Sequence, residues 1–250
     1  MLLVDVHAHL DHCKFKQDLD MVIERARKNN VKSIINNGIN PEKNKITLEL
    51  AKKYDIVKAA LGLYPTDAIK MKEEEIDKEL EFIKKNKNKI VAIGEIGLDY
   101  HWDLKQHDKQ KEIFEKIINL AEKIKKPLII HSRKAEEDTI NLLESSNVKK
   151  TVLHCFNGNF SLVKKADDLG YYFSIPTNVT RSEQFQKIVN LININKILTE
   201  TDSPYLSPFP GQRNEPCNIV YSIKKIAEIK NMNVEEVANN IFMNYKNLFE

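Results

Sequence analysis

Short apolar runs alternate with longer amphipathic segments along the whole 250-residue sequence. Strands that alternate with helices indicate repeated βα units and a parallel sheet. The strands of such a sheet are buried on both faces and read as continuous apolar runs. The sequence predicts eight strands: Leu2–His7, Val31–Asn36, Ile56–Leu61, Ile90–Glu95, Pro127–His131, Thr151–His154, Tyr171–Ile175 and Lys196–Thr201.

The segments between these runs have the spacing of amphipathic helices. Gln106–Lys125 is the clearest, because its apolar residues recur every three or four positions on one face. A capping side chain before the first helical turn marks where other helices begin. The sequence predicts such starts at Asn40 before Pro41, at Thr180 with Glu183, and at Asn233 with Glu236.

Eight βα units in about 250 residues match the size of a (β/α)8 TIM barrel. A doubly wound open sheet is the alternative α/β fold. The first apolar run is not followed by a GxGxxG turn, which weakens the dinucleotide-binding version of that alternative. No linker, repeat or low-complexity tract interrupts the sequence, so we expect one domain over residues 1–250.

The charge and cysteine content indicate the cellular compartment of the protein but not whether it binds nucleic acid. A net charge of +3 neither requires nor excludes a nucleic-acid partner. The three cysteines are dispersed without a CxxC pair, which fits the reducing cytoplasm. The N-terminus enters a strand pattern at once, and the apolar runs are shorter than the roughly 20 residues of a membrane helix. We therefore expect a cytoplasmic protein without a membrane partner.

Metal-ligand side chains stand at the carboxyl ends of five predicted strands. His7 and His9 follow the first run and point to the same side, because alternate residues of a strand share a face. The active sites of (β/α)8 barrels lie at the carboxyl ends of their strands. The full candidate set is His7, His9, Glu95, His131, His154 and Asp202.

Four imidazoles and two carboxylates suit divalent Zn²⁺ or Mn²⁺, and the identity of the metal, Mg²⁺ included, stays open. Six ligands exceed the need of one catalytic ion, so we predict two ions with Glu95 as a bridging carboxylate. Taken singly, each of these residues could have a structural role instead of binding a metal. A single histidine at a strand end is often hydrogen-bonded structure, and Asp202 before Ser203-Pro204 fits a turn. The joint pattern favours the metal site.

The same residues lie in motifs that resemble the TatD family of metal-dependent hydrolases, within the amidohydrolase-like barrel superfamily. The resemblance runs nearly end to end, through Asp5–Leu10, Gly94–Asp99, His131–Arg133, His154–Phe156, Glu200–Pro204, Arg213–Pro216 and Asn244–Asn247. It implies a metallo-dependent TIM barrel that hydrolyses phosphodiesters, typically as a deoxyribonuclease.

The resemblance also implies how the ligands divide. His7, His9 and Asp202 would hold one metal, His131 and His154 the other, and Glu95 would bridge them. The sequence departs from the family at Gly62-Leu-Tyr-Pro65, where the family usually has a histidine near the substrate phosphate and this chain has Tyr64. A tyrosine donates one hydrogen bond but does not become a cation. We therefore expect altered phosphate affinity at that position.

A metal-activated water is the expected nucleophile, with Asp202 as ligand and general base and with Glu95 at the catalytic centre. Arg133 and Arg213 are the candidates for holding a phosphate, and each has a structural salt bridge as its alternative. The expected substrate is DNA, as single strands or 3′ ends in a 3′–5′ exonuclease-like reaction. We expect a monomer, because one chain holds a complete barrel.

Two other functions stay open. The same centre can hydrolyse amides or esters such as D-aminoacyl-tRNA, since the bound water can attack a carbonyl carbon as readily as a phosphorus. A binding module that keeps the metal site only as a scaffold is the non-enzymatic alternative.

Overall fold

A computed structural model describes residues 1–250, with eight strands in one sheet in the order β1 to β8. The pairings recorded between neighbouring strands are parallel. The strands are β1 (Leu3–Ala8), β2 (Val31–Asn37), β3 (Val57–Leu61), β4 (Ile90–Asp99), β5 (Leu128–Arg133), β6 (Thr151–His154), β7 (Tyr172–Pro176) and β8 (Ile197–Glu200).

At least one α-helix separates each strand from the next along the chain, and between β7 and β8 the helix α8 is flanked by two short 3-10 helices. The α-helices are α1 (Leu19–Lys28), α2 (Pro41–Lys53), α3 (Pro65–Ala68), α4 (Glu73–Lys85), α5 (His107–Ile124), α6 (Glu136–Glu144), α7 (Phe160–Asp168), α8 (Glu183–Leu191), α9 (Ile219–Lys230) and α10 (Val234–Phe249). No helix combines the length and apolar character that a bilayer crossing requires.

The first strand is bonded directly to the last. The Thr199 hydroxyl in β8 donates to the carbonyl of Val4 in β1 at 2.8 Å. Ala8, the last residue of β1, forms a parallel bridge with Ser203, which lies beyond the end of β8. Eight parallel strands in sequence order, with the first beside the last and helices between them, confirm the predicted (β/α)8 TIM-barrel fold.

The chain divides into two compact units. One consists of Met1–Asn36, Leu50–Lys58 and Tyr172–Glu250, and the other of Asn37–Glu49 and Ala59–Tyr171. Each unit has its own buried apolar core, with Phe15 and Phe173 fully buried in the first and Phe114 in the second. That residues 1–250 act as one domain stays a prediction.

The predicted end of the fourth strand is wrong. β4 continues four residues past Glu95 to Asp99, so Glu95 lies within the strand. Gly97 explains the extension. Its φ is +136°, and a Cβ there would lie 2.0 Å from the carbonyl oxygen of His131, so only glycine lets β4 run this close to β5. β5 likewise continues past His131 to Arg133.

Two of the three predicted helix starts are confirmed. The Asn40 side chain accepts from the Lys43 N–H at the start of α2, and the Asn233 side chain accepts from the Glu235 N–H at the start of α10. The start at Thr180 is wrong. Thr180 ends a 3-10 turn and donates its hydroxyl to Thr177, while Ser182 caps α8.

Candidate metal centre

In the first unit, His7, His9 and Asp202 meet at the ends of β1 and β8. The Nε2 atoms of the two histidines are 3.2 Å apart. Asp202 Oδ1 lies 3.5 Å from His9 Nε2 and 3.8 Å from His7 Nε2. Ligand atoms that share an ion at about 2.0–2.2 Å must lie about 3–4 Å from one another. These three side chains fit a divalent metal.

Main-chain bonds between the two strand ends hold this group. The Asp202 N–H donates to the His7 carbonyl at 2.8 Å, and the His9 N–H donates to the Ser203 carbonyl at 2.9 Å. Asp202 has a φ of +53°, in the left-handed region that few residues other than glycine adopt. The ligand positions are therefore built into the backbone, and strained backbone of this kind clusters at functional sites.

A buried carboxylate supports the residues next to these candidate ligands. Asp5 is fully buried and accepts from the Thr201 N–H at 2.9 Å, from the Thr201 hydroxyl at 2.6 Å and from the His7 N–H at 3.3 Å. Burial raises the pKa of Asp5 to about 8, against the opposing hydrogen bonds from Thr201. Through these hydrogen bonds Asp5 connects His7 in β1 to Thr201, the residue that precedes Asp202. The sequence marked Asp5 only as part of a motif.

In the second unit, Glu95, His131 and His154 form another ligand group. Glu95 Oε1 lies 3.0 Å from His131 Nδ1 and 3.9 Å from His154 Nε2. The three ligand atoms lie within 4.8 Å of one another. All three side chains are at least 86% buried, so water competes little for their donor atoms. This group also fits a divalent metal.

Asp99 determines which nitrogen of His131 faces that group. Its Oδ2 lies 2.9 Å from His131 Nε2 and accepts from the Tyr64 hydroxyl at 2.7 Å. Burial opposes ionisation of Asp99, yet the hydrogen bonds from His131 and Tyr64 lower its pKa to about 2. Metal-binding histidines commonly donate their other ring N–H to a carboxylate in this way. Sequence reasoning missed this role, although Asp99 and Glu95 are the only two charged residues of β4.

Burial also affects His131 and Tyr64. It opposes protonation of His131, but hydrogen bonds with Asp99 and Glu95 raise the pKa of His131 above its ordinary value. Burial and the charge of Glu95 raise the pKa of the Tyr64 hydroxyl, so Tyr64 stays a neutral donor. Its one proton goes to Asp99.

The two predicted phosphate ligands lie in different surroundings. Arg133 is exposed at the end of β5, with its guanidinium 5.4 Å from the centre of the Trp102 ring. Arg213 lies in the first unit and pairs with Asp18 at 2.6 Å and Glu215 at 2.6 Å. Arg25 binds Glu215 as well, at 2.7 Å. This network is a structural role for Arg213, and its contact with substrate stays a prediction.

Comparison with known proteins gives a consistent result. The model of the family described as "TatD related DNase" matches residues 4–250. The "Uncharacterized metal-dependent hydrolase YabD" of Bacillus subtilis is 38% identical, over 99% of each chain. The human "Deoxyribonuclease TATDN3" is 35% identical, over 99% of this chain and 94% of that protein.

A solved structure resembles the whole chain. The TatD homologue YJJV of Escherichia coli K12 matches with a TM-score of 0.93 and 27% identity, over 99% of this chain and 97% of that one. The eight-stranded topology found here is therefore shared with a protein of related sequence.

Proposed function

The chain belongs to the TatD-related DNase family, and from that premise we propose that it is a metal-dependent deoxyribonuclease that hydrolyses the phosphodiester bonds of DNA. The observation that carries the proposal is the His7–His9–Asp202 group, whose donor atoms lie 3.2–3.8 Å apart where two parallel strands end. Active sites of (β/α)8 enzymes are built at this end of the strands.

We propose two divalent ions, with Zn²⁺, Mn²⁺ and Mg²⁺ as the candidates. His7, His9 and Asp202 would hold one ion, and His131 and His154 the other. The bridging and catalytic role of Glu95 stays a prediction. When bound, divalent ions lower the pKa of water toward about 7 and neutralise charge that develops on phosphoryl oxygens.

The protein's own groups supply the remaining chemistry. Asp202 lies beside His7 and His9 through its Oδ1 atom, and its carboxylate is the group that we propose to accept a proton from the attacking water. Asp99 holds the His131 ring by its Nε2 atom, so that Nδ1 is the atom offered to the Glu95 group. Arg133 supplies a permanent positive charge for a phosphate oxygen.

The finer features of the substrate follow from the family resemblance. We propose single-stranded DNA or 3′ ends as the substrate, 3′–5′ exonuclease-like cleavage, a monomer and a cytoplasmic location. Tyr64 would not bind the substrate phosphate as a cation. Its hydroxyl proton is already donated to Asp99, so we propose that its role is to hold that carboxylate in place.

The test is hydrolysis of 5′-labelled single-stranded DNA with Mg²⁺, Mn²⁺ or Zn²⁺. Asp202→Asn should lower kcat by about 10²–10⁴-fold with an unchanged melting temperature, whereas the exposed Asp77→Asn should keep full activity. D-aminoacyl-tRNA is assayed in parallel. Hydrolysis of that ester without any hydrolysis of DNA would overturn the proposal, as would normal turnover by Asp202→Asn.

A further inference from the structure

A cleft in the second unit adjoins the Glu95–His131–His154 group and has no part in the chemistry above. Its volume is about 490 Å³, and its lining includes Tyr64, Ile69, Lys70 and Trp102. Tyr64 belongs both to this cleft and to the Asp99–His131 hydrogen bonds. The cleft therefore opens beside a predicted metal ligand.

Trp102 is the most conspicuous side chain of the cleft. It is the only tryptophan of the chain and is 67% exposed. Large aromatic side chains bury a great deal of apolar area when they find a partner, so an exposed one beside a cleft indicates a binding surface. The loop that carries it is fixed, because the Trp102 N–H donates to Asp99 Oδ1 at 3.0 Å. The same carboxylate thus holds both Trp102 and His131 in place.

Cationic side chains accompany the ring. The Arg133 guanidinium lies 5.4 Å from the Trp102 ring centre, within cation–π distance. Lys70 lines the cleft and is exposed. Arg133 follows His131 by two residues in β5, so its charge lies near the proposed centre.

An aromatic platform combined with cations is the arrangement by which proteins bind single-stranded nucleic acid without reading its sequence. The aromatic ring stacks on a base, and the cations attract the phosphates on either side. A duplex keeps its bases stacked on one another, so this arrangement selects for unpaired strands.

We propose that Trp102 stacks on a base of single-stranded DNA that lies next to the cleaved phosphodiester, and that the cleft beside it is a nucleobase subsite. The proposal rests on the proposed deoxyribonuclease function. It assigns a binding role to Trp102 and gives Arg133 two partners, the aromatic ring and a phosphate of the same strand.

The single tryptophan makes the proposal directly measurable, because the intrinsic tryptophan fluorescence of the protein reports Trp102 alone. Octathymidylate and an abasic octamer with the same phosphates are titrated into metal-loaded Asp202→Asn, in which hydrolysis should be too slow to consume the strands during the titration. We expect saturable quenching by octathymidylate and about tenfold weaker binding of the abasic strand. Equal affinity and equal quenching by both strands would overturn the proposal.

Variants at the ring supply a second measurement. With labelled strands and anisotropy detection, Trp102→Ala should bring the tenfold affinity ratio between the two strands close to one, and Trp102→Phe should keep most of it. Phe160, another exposed aromatic residue that does not line the cleft, provides the control. Phe160→Ala should leave the ratio unchanged. An unchanged ratio in Trp102→Ala would overturn the subsite.

Hydrolysis by the wild type separates the two proposals. If the wild type cleaves octathymidylate and Trp102→Ala cleaves it with the same KM, the subsite is wrong and the deoxyribonuclease function stands. If the wild type cleaves no DNA but binds it with the base-dependent affinity, the subsite stands and the deoxyribonuclease function is wrong.

Discussion

His131 Nε2 and Asp99 Oδ2 lie 2.9 Å apart, and both side chains are largely buried. The bond occupies one ring nitrogen and leaves Nδ1 directed at Glu95, 3.0 Å away. An imidazole that binds a metal through one nitrogen is best oriented by a fixed acceptor at the other. We therefore propose Asp99 as a positioning residue for His131, the proposed metal ligand.

Asp99→Asn should weaken metal binding at the His131–His154 site by about 10–100-fold, because an amide holds the imidazole less firmly than a carboxylate does. Calorimetric titration of Mn²⁺ or Zn²⁺ measures the loss. Tyr64→Phe is the matched control, since it removes one hydrogen bond to Asp99 and leaves the carboxylate in place. We expect a smaller loss there. Wild-type affinity in Asp99→Asn would contradict the positioning role.

Gly97→Ala should destabilise the protein severely. The new Cβ would lie 2.0 Å from the His131 carbonyl oxygen, and the φ of +136° is one that alanine avoids. Gly211→Ala tests the backbone effect alone, because Gly211 also has a positive φ, +75°, with open space around it. Urea unfolding should show a much larger loss for Gly97→Ala. Equal losses would mean that the contact between β4 and β5 is not tight.

Arg213→Ala should lower the free energy of unfolding by about 1–3 kcal/mol at pH 7, because it removes the main partner of Asp18 and one of the two arginine partners of Glu215. Arg27→Ala, which removes two ion pairs between exposed side chains, should change the free energy of unfolding little. Urea unfolding of both variants provides the comparison.

The same network predicts a pH dependence. The hydrogen bond from Arg213 lowers the pKa of Asp18, and hydrogen bonds from Arg25 and Arg213 lower the pKa of Glu215 despite its burial. A lowered folded pKa gives stability that is complete above the unfolded pKa, about 4, and is lost as the pH falls through the folded value. The difference between wild type and Arg213→Ala should therefore shrink below pH 4. A constant difference from pH 7 to pH 2 would contradict the ion pairing.

Sequence periodicity predicted the strands well because buried parallel strands are apolar throughout. Thr151–His154 agrees residue for residue, and the other strands begin within a residue of their predicted starts. The predicted β4 ended too early, at Glu95, because glycines and an acid interrupt the apolar run there. What allows the strand to continue is an absent Cβ beside another strand, which no local pattern reveals.

Contacts between distant segments account for most of what the sequence did not predict. Arg213 and Asp18 are 195 residues apart, so nothing near Arg213 in the sequence distinguished an ion-pair network from a phosphate contact. Asp99 escaped notice for the same reason, since its partners Tyr64 and His131 lie 35 and 32 residues away. The capping error at Thr180 was local, because Ser182 also has a hydroxyl and stands closer to the helix.

The pairing of β1 with β8 also has a consequence for biosynthesis. His7 and His9 are synthesised well before Asp202 and Ser203, whose backbone holds them. A nascent polypeptide that ends before Asp202 cannot form the His7–His9–Asp202 group. The metal site proposed at this group can therefore assemble only after the ribosome has passed β8.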